Sequence, residues 1–337
     1  GHTIIIYTAR RMRTHGGNIG AVVADISTVT FDTLKKYDIP YDEVYFGKPY
    51  ANFYIDDLAV NPSISLDKSL GIFNTNTPPR DFNKVEFKDD KVIKHTSNKG
   101  EVFWYNNIPN NLKEYFPKVF KAKDNNLILE NIEGVNYSYL YINKSLIIND
   151  LDNLFKNLKK IHKTPYKFKN DIYVNYVLKL TNRYYNNKSL YNKIPNSKKI
   201  FNKIIDGLKN YEDNSLGTPS VIHGDPVFTN ILKTKTEIKF IDMRGKLGDK
   251  LTLEGDLYYD YAKTYQSIIG YDFILNDIEI DNIYTSKFIE KFESYFSKNE
   301  MKYIKLITAS LIFSLLPLHV YSLDKFDKYL KLTKQLL

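Results

Sequence analysis

Hydrophobic residues change their spacing three times along this chain. At the front, "HTIIIYT" is a short continuous apolar run rich in β-branched residues, the pattern of a strand covered on both faces. "DISTVTFDTLKKYDI" follows with a helix start and apolar positions at helical spacing, Val29 and Leu34 among them. "EVYF" and "NFYIDD" read as two further strands, so this segment alternates β and α as a parallel sheet requires. The stretch from Asn61 to Arg80, with "NPSISLD" and "NTNTPPR", is rich in Pro, Asn and Ser and reads as a linker.

Beyond the linker the pattern shifts. "KVEFKDDKVIKHT" reads as two short strands turning at Asp89-Asp90, "GEVFWYNNIP" as a short helix, and "NLILENIEG" as a strand ending in a turn. From about Ser145 helical spacing takes over: "LIINDLDNLFKNLKKIHKTP" carries it and stops at Thr164-Pro165. Helices continue to about Tyr211 and resume from Leu257 to the end, interrupted by "VIHGDPVFTNILKTKTEIKFIDMRG". The apolar run "LITASLIFSLLPLHVY" is short for a membrane span and holds Ser, Thr, Pro and His, so a buried helix is expected.

Composition narrows the function classes. The chain has 337 residues, room for two domains or one domain with two lobes. With no cysteine, disulfides and thiolate metal sites are excluded, which suits a reducing cytoplasm. The formal charge of +9 suggests nucleic acid, but the lysines are scattered among acids and no Arg-rich helix or aromatic-plus-basic motif appears. A phosphorylated small ligand is the better partner for that charge; neither nucleic acid nor a membrane span is expected.

The interrupting segment carries the chemistry. "VIH" reads as a strand running into a loop, with "NILK" and "EIKFID" as an antiparallel pair folded near Thr236. That fold sets Asn230 roughly opposite Asp242, with Asp225 on the loop just before. Oxygen ligands of this kind suit Mg²⁺, which takes one or two protein ligands and fills its shell with water and substrate phosphates. Phosphoryl transfer needs such ligands and a base to receive a hydroxyl proton. Asp225 is the candidate base, and Asn230 and Asp242 are the candidate metal ligands. Upstream, Lys94 sits mid-strand among apolar neighbours, where an unpaired ammonium is costly. Glu101 is its expected partner and Glu114 a weaker one. The "LENIEG" connector would then set backbone groups from Glu130 to Ile132 against adenine. Arg244, Tyr259 and Tyr271 are candidate acceptor contacts. His223 is expected to brace the loop, His162 to be a hydrogen-bonder in the core, and Asp256 and Asp260 to fix the loop and helix after the metal site.

Residues from about Arg80 onward resemble the aminoglycoside phosphotransferase and choline kinase family of small-molecule kinases. The resemblance rests on "VIK", "ILENIEGVN", "LKKIHKTP", "VIHGDPVFTN", "FIDMRG" and "EGDLYYDYAKTYQS", in that order. It implies a bilobal protein-kinase-like α+β fold, with a β-rich N-lobe over 78–135 and a helical C-lobe over 136–337. It also implies ATP and Mg²⁺ as cofactors, Asp225 as base, Asn230 and Asp242 as metal ligands, and Lys94 on the phosphates. The acceptor is expected to be a sugar, sugar alcohol or amino alcohol. The wording of "DMRG" and "EGDLYYDYAKTYQS" is similar to members tied to bacterial capsule or lipopolysaccharide synthesis.

Residues 1–70 resemble a partial Rossmann-like α/β domain of the haloacid-dehalogenase phosphatase type, in a capsule-associated branch. The resemblance implies a phosphate-binding Thr8, Lys48 and an acidic pair, Asp56 and Asp57, as remnants of a site. The strand that would bear that family's nucleophilic Asp precedes the present start, so a longer native chain is expected. The alternatives to a kinase are therefore a phosphatase active only in that longer chain, or a nucleotide-binding scaffold.

Overall fold

The computed structural model describes residues 3–51, 83–88, 90–123 and 126–337. The chain divides into two compact units, residues 1–74 and 75–337. Asp56, Asp57, the expected strand "NFYIDD" and the linker lie outside the described residues.

In the first unit, β1 (Ile5–Thr8) and β2 (Glu43–Phe46) pair in parallel, Ile5 opposite Glu43 and Thr8 opposite Phe46. They are joined by α1 (Ile19–Lys36), the crossover helix that a parallel pair needs. The helix starts well before the position read from the sequence, because the Asn18 side chain caps it by accepting from the Ala21 amide. Its buried stripe, Val22, Ile26, Thr30 and Leu34, repeats every four residues. The expectation of a strand covered on both faces fails among the described residues, since Ile5 and Tyr7 are about half exposed and alternate with more covered neighbours.

The second unit begins with a four-stranded antiparallel sheet, ordered β3 (Asn83–Lys88), β4 (Lys91–Thr96), β6 (Asn126–Glu130) and β5 (Val119–Lys123). β3 and β4 pair antiparallel as expected, Lys88 opposite Lys91, while β5, whose lysines interrupt the apolar pattern, is a strand the sequence reading missed. Helix α2 (Lys99–Asn106) follows β4. Its Trp104 is fully buried, lies tilted against Phe116 with ring centres 4.4 Å apart and donates to the Ile222 carbonyl at 3.1 Å. One indole thus ties the sheet to the segment that leads into the candidate site.

Next come β7 (Val135–Asn136), α3 (Tyr137–Ile142), α4 (Ile148–His162), α5 (Val177–Asn186), α6 (Lys188–Tyr191) and α7 (Ser197–Asp213). Helix α4 buries Leu151, Leu154, Leu158 and Ile161 and exposes its lysines, which accounts for its clear pattern in the sequence. Short strands then build the site: β8 (Pro219–Val221), β9 (Ile231–Lys233), β10 (Ile238–Phe240), β11 (Lys246–Leu247), β12 (Lys250–Leu251) and β13 (Glu254–Asp256). β13 pairs with β8, and β9 lies between β10 and β7.

The remaining helices are α8 (Leu257–Gln266), α9 (Asp272–Leu275), α10 (Asn282–Glu293), α11 (Lys298–Leu315) and α12 (Leu323–Gln335). The apolar run read as a buried helix is α11: Ile304, Ile307, Ile312 and Phe313 are inaccessible, and the helix is long and apolar enough to cross a bilayer by composition alone. Its apolar residues belong to the same core that holds Trp104, Leu127 and Leu129 of the sheet region.

Candidate active site

The loop after β8 is held by one buried carboxylate. Asp260, in the first turn of α8, accepts from the His223 amide at 2.9 Å and the Gly224 amide at 2.7 Å. It also meets His162 Nε2 at 3.0 Å. Fully buried His223 accepts the Asp225 amide on Nδ1 at 3.1 Å, and burial pushes the imidazole's pKa down, keeping it neutral. Asp256 is used as heavily. It takes the Thr218 and Tyr258 amides at 3.0 and 3.1 Å, and the Tyr176 and Tyr211 hydroxyls at 2.6 Å each. Asp260 thus holds the loop, while Asp256 fixes the chain before β8 and the start of α8.

Asp225 is different. Its side chain is 40% exposed, and the ammonium of Lys263 lies 3.0 Å from Oδ1. Burial would raise its pKa, but the charge of Lys263, followed by Arg244, outweighs that and holds the carboxyl below the usual range. An ionised, reachable carboxylate of this kind can receive a hydroxyl proton.

The hairpin that carries Asn230 and leads to Asp242 forms with its register moved by one residue. Ile231 faces Phe240, so Asn230 is opposite Ile241, whose amide donates to the Asn230 carbonyl at 3.0 Å. Asp242 lies just past the ladder with φ +60°, and this left-handed turn takes it out of strand geometry. Asn230 Nδ2 donates to the Asp225 carbonyl at 2.9 Å, which commits the amide nitrogen and leaves Oδ1 as the acceptor end.

Lys94 faces the core. It bonds Glu101 at 2.9 Å and reaches Asp242, 148 residues away, at 2.6 Å. Burial disfavours the ammonium, but Asp242 and Glu101 outweigh it and raise the Lys94 pKa. Burial, then the charge of Asp242, holds the Glu101 carboxyl well above the usual range, although Lys94 pulls it the other way. Lys94 thus faces the buried Glu101 carboxyl on one side and the half-exposed Asp242 carboxylate on the other, and the open side of Asp242 can take further positive charge. Exposed Glu114 takes no part in it. Among the described residues no three His, Cys, Asp or Glu side chains gather as a metal cluster. The fit to Mg²⁺ rests on the Asp242 carboxylate, 47% exposed, and the Asn230 amide oxygen.

Two glycines allow this meeting. A Cβ on Gly100 would lie 2.2 Å from the Arg244 carbonyl oxygen, and one on Gly245 would lie 1.8 Å from the Gly100 oxygen. Helix α2, with Glu101, therefore touches the loop after Asp242 backbone to backbone.

The connector is less open than expected. The Glu130 amide donates to the Lys118 carbonyl at 2.9 Å and the Asn131 amide to the Asp90 carbonyl at 2.8 Å. Of the three positions from Glu130 to Ile132, the Ile132 amide is the one with no backbone acceptor among the described residues.

Of the candidate acceptor contacts, Arg244 and Tyr259 meet: Arg244 Nη1 donates to the Tyr259 hydroxyl and the guanidinium lies 5.4 Å from the ring centre. Tyr271 is placed elsewhere, stacked on Tyr329 at 5.4 Å in the helical core. The sequence reading missed Lys179 and Lys263. Lys179 donates to the Tyr259 hydroxyl at 3.2 Å. Lys263 follows Tyr259 by four residues on α8, a spacing that puts both on one face and was available as a signal. In the first unit, Thr8 Oγ1 accepts the Arg10 amide at 3.1 Å, and the Lys48 amide donates to the Thr8 carbonyl at 3.1 Å.

No protein-family model matches the chain, and no curated protein matches it. Solved structures do. A choline/ethanolamine kinase family protein from Mesorhizobium loti aligns with a TM-score of 0.50 at 12% identity, over 75% of this chain and 84% of that one. An aminoglycoside phosphotransferase in complex with GDP aligns with a TM-score of 0.50 at 14% identity, over 76% and 88%. A glucosamine kinase in complex with glucosamine, ADP and phosphate gives 0.50 at 11% identity, over 76% of each chain. The chain thus shares the mixed α/β, kinase-like fold of small-molecule kinases; these likenesses do not extend to a phosphatase-like segment at the front.

Proposed function

We propose that this protein is an ATP- and Mg²⁺-dependent phosphotransferase acting on a hydroxyl of a small molecule. The observation that carries the reading is the Lys94 ammonium, set between Glu101 and Asp242, in a chain that also presents an ionised Asp225 from the loop before β9. The acceptor oxygen forms a bond to the γ-phosphorus as the bond from that phosphorus to the β–γ bridging oxygen breaks, releasing ADP. The hydroxyl proton passes to Asp225. Lys94 binds the nucleotide phosphates, and Glu101 holds Lys94 in place. Asp242 and Asn230 would hold Mg²⁺, which offsets phosphate charge when bound. The connector near Ile132 is the place for the purine.

The acceptor belongs among sugars, sugar alcohols and amino alcohols, and its use in capsule or lipopolysaccharide synthesis is part of the proposal. The first unit is assigned no activity: of its candidate residues, Asp56 and Asp57 lie outside the described residues.

The test is thermal unfolding with Mg²⁺ plus ATP, GTP or neither, in wild type and Asp242→Ala. A nucleotide at a hundredfold excess over its dissociation constant stabilises the folded state by about 2.7 kcal/mol. The expected result is a rise in melting temperature of several degrees with one nucleotide, abolished in the variant. No rise with either nucleotide would sink the proposal in favour of a scaffold.

A further inference from the structure

Three cations from distant parts of the sequence converge beside Asp225. Lys179 comes from the first turn of α5, Arg244 from the loop after Asp242, and Lys263 from α8. Lys179 and Arg244 both donate to the hydroxyl of buried Tyr259, with Lys179 also 5.6 Å from its ring centre, while Lys263 lies 3.0 Å from Asp225. Carboxylates that could oppose them are committed elsewhere. Asp256 serves two tyrosines and two amides, Asp260 holds the loop, and Glu254 takes the amides of Lys169 and Asn170. Three partly covered cations thus face one carboxylate and one phenol. Charge withheld from water needs a partner, and here part of that partner is missing from the protein itself.

We propose that the acceptor carries, besides the hydroxyl to be phosphorylated, an anionic group, a carboxylate or a phosphate, bound by Lys179, Arg244 and Lys263. The inference rests on the phosphotransferase reading and narrows it. An amino alcohol or amino sugar would bring its ammonium against three cations, whereas an anion would gain charge-assisted hydrogen bonds from a planar guanidinium and two ammoniums. Because Lys263 touches Asp225, the anionic group belongs on a small molecule, close to the reacting hydroxyl. The same positive field acts on Tyr259. Burial would raise its pKa, but Arg244, Lys179 and Lys263 outweigh burial and bring it down to about 7.

The experiment uses the full chain saturated with Mg²⁺ and ADP, and measures calorimetric binding of glucose 6-phosphate, glucuronate, glucose and glucosamine. At least one of the two anions is expected to bind about tenfold or more tightly than glucose and glucosamine. Which of the two it is separates phosphate from carboxylate recognition. Lys179→Gln should weaken that anion about tenfold while keeping the thermal response to Mg²⁺ and ADP, which shows that the variant is folded. Arg244→Gln provides a second, independent loss. Glucosamine binding as tightly as either anion, neither anion binding, or an anion indifferent to both variants would overturn the inference and leave the kinase reading standing. If Mg²⁺ and ADP fail to stabilise the wild type, the kinase reading falls and this inference with it.

Discussion

The two sides of the candidate site have opposite charge balances. On the strand side, one ammonium, Lys94, faces two carboxylates, Glu101 and Asp242. On the helical side, Lys179, Arg244 and Lys263 surround a single carboxylate, Asp225, and a phenol, Tyr259. A surplus of negative charge suits a divalent cation, and a surplus of positive charge suits an anionic ligand. Asp225 lies between them, with its main-chain carbonyl bonded to Asn230 and its carboxylate bonded to Lys263. In the proposed reading, the contrast sets a metal cation on the strand side and an anionic acceptor group on the helical side.

The sharpest break of that contrast is Asp225→Asn, which keeps the shape and removes the proposed base. Phosphoryl transfer to any accepted alcohol should fall by about 10²-fold or more while Mg²⁺–nucleotide stabilisation persists. Full activity in this variant would end the role given to Asp225. The strand side can be broken at Lys94. In Lys94→Met, Glu101 loses its counter-charge in a buried setting, and urea unfolding should show a loss of about 3 kcal/mol. Adding Glu101→Gln should restore part of it, a rescue that would not occur if Lys94 acted only through packing.

On the helical side, Tyr259 offers a spectroscopic readout. Its pKa is brought to about 7, so its phenolate forms as the pH rises through neutrality. The absorbance of wild type minus Tyr259→Phe should show one tyrosinate appearing there. In Lys179→Gln the transition should move to higher pH, since a lost cation favours the neutral phenol. An unmoved transition would contradict the shared field of the three cations. The smallest expected effect is Tyr176→Phe, which removes one of two hydroxyls from Asp256 and should cost about 1 kcal/mol by denaturant unfolding.

Much of the strand side could be read from the sequence because its residues are local or fall in short, regular elements. The pairing of β3 with β4 placed Lys94, and Glu101 follows seven residues later. The loop from His223 to Asp225 and the β9–β10 hairpin were legible for the same reason, but the register was read one residue off. A turn spanning Thr234 to Glu237 sets that register, and the left-handed Asp242 then leaves the ladder, neither of which hydrophobic spacing reports. The helical side was read only in part. Lys179 and Tyr259 are 80 residues apart, and a lysine on a helix looks the same in sequence whether it meets water or a buried phenol. Tyr271 does not join Arg244 and Tyr259, because an aromatic near a site motif carries no sign of which face it packs on; it stacks on Tyr329 of α12. At the front, "HTIIIYT" fits a strand covered on both faces, but whether anything covers it depends on residues distant from it in the sequence.

The contact between Gly100 and Gly245 gives the site a tolerance that behaves like a machinist's fit. The bond from Lys94 to Asp242 bridges the sheet and the loop across a gap of a few ångströms, and the width of that gap is fixed where the two backbones touch. A single methyl group at either glycine would act as a shim, moving α2 and its sheet off the loop and pulling the ammonium out of reach of the carboxylate. The spacing of the charges is thus gauged by atoms that are not there, and drift at either position would first show as a lost bond between Lys94 and Asp242.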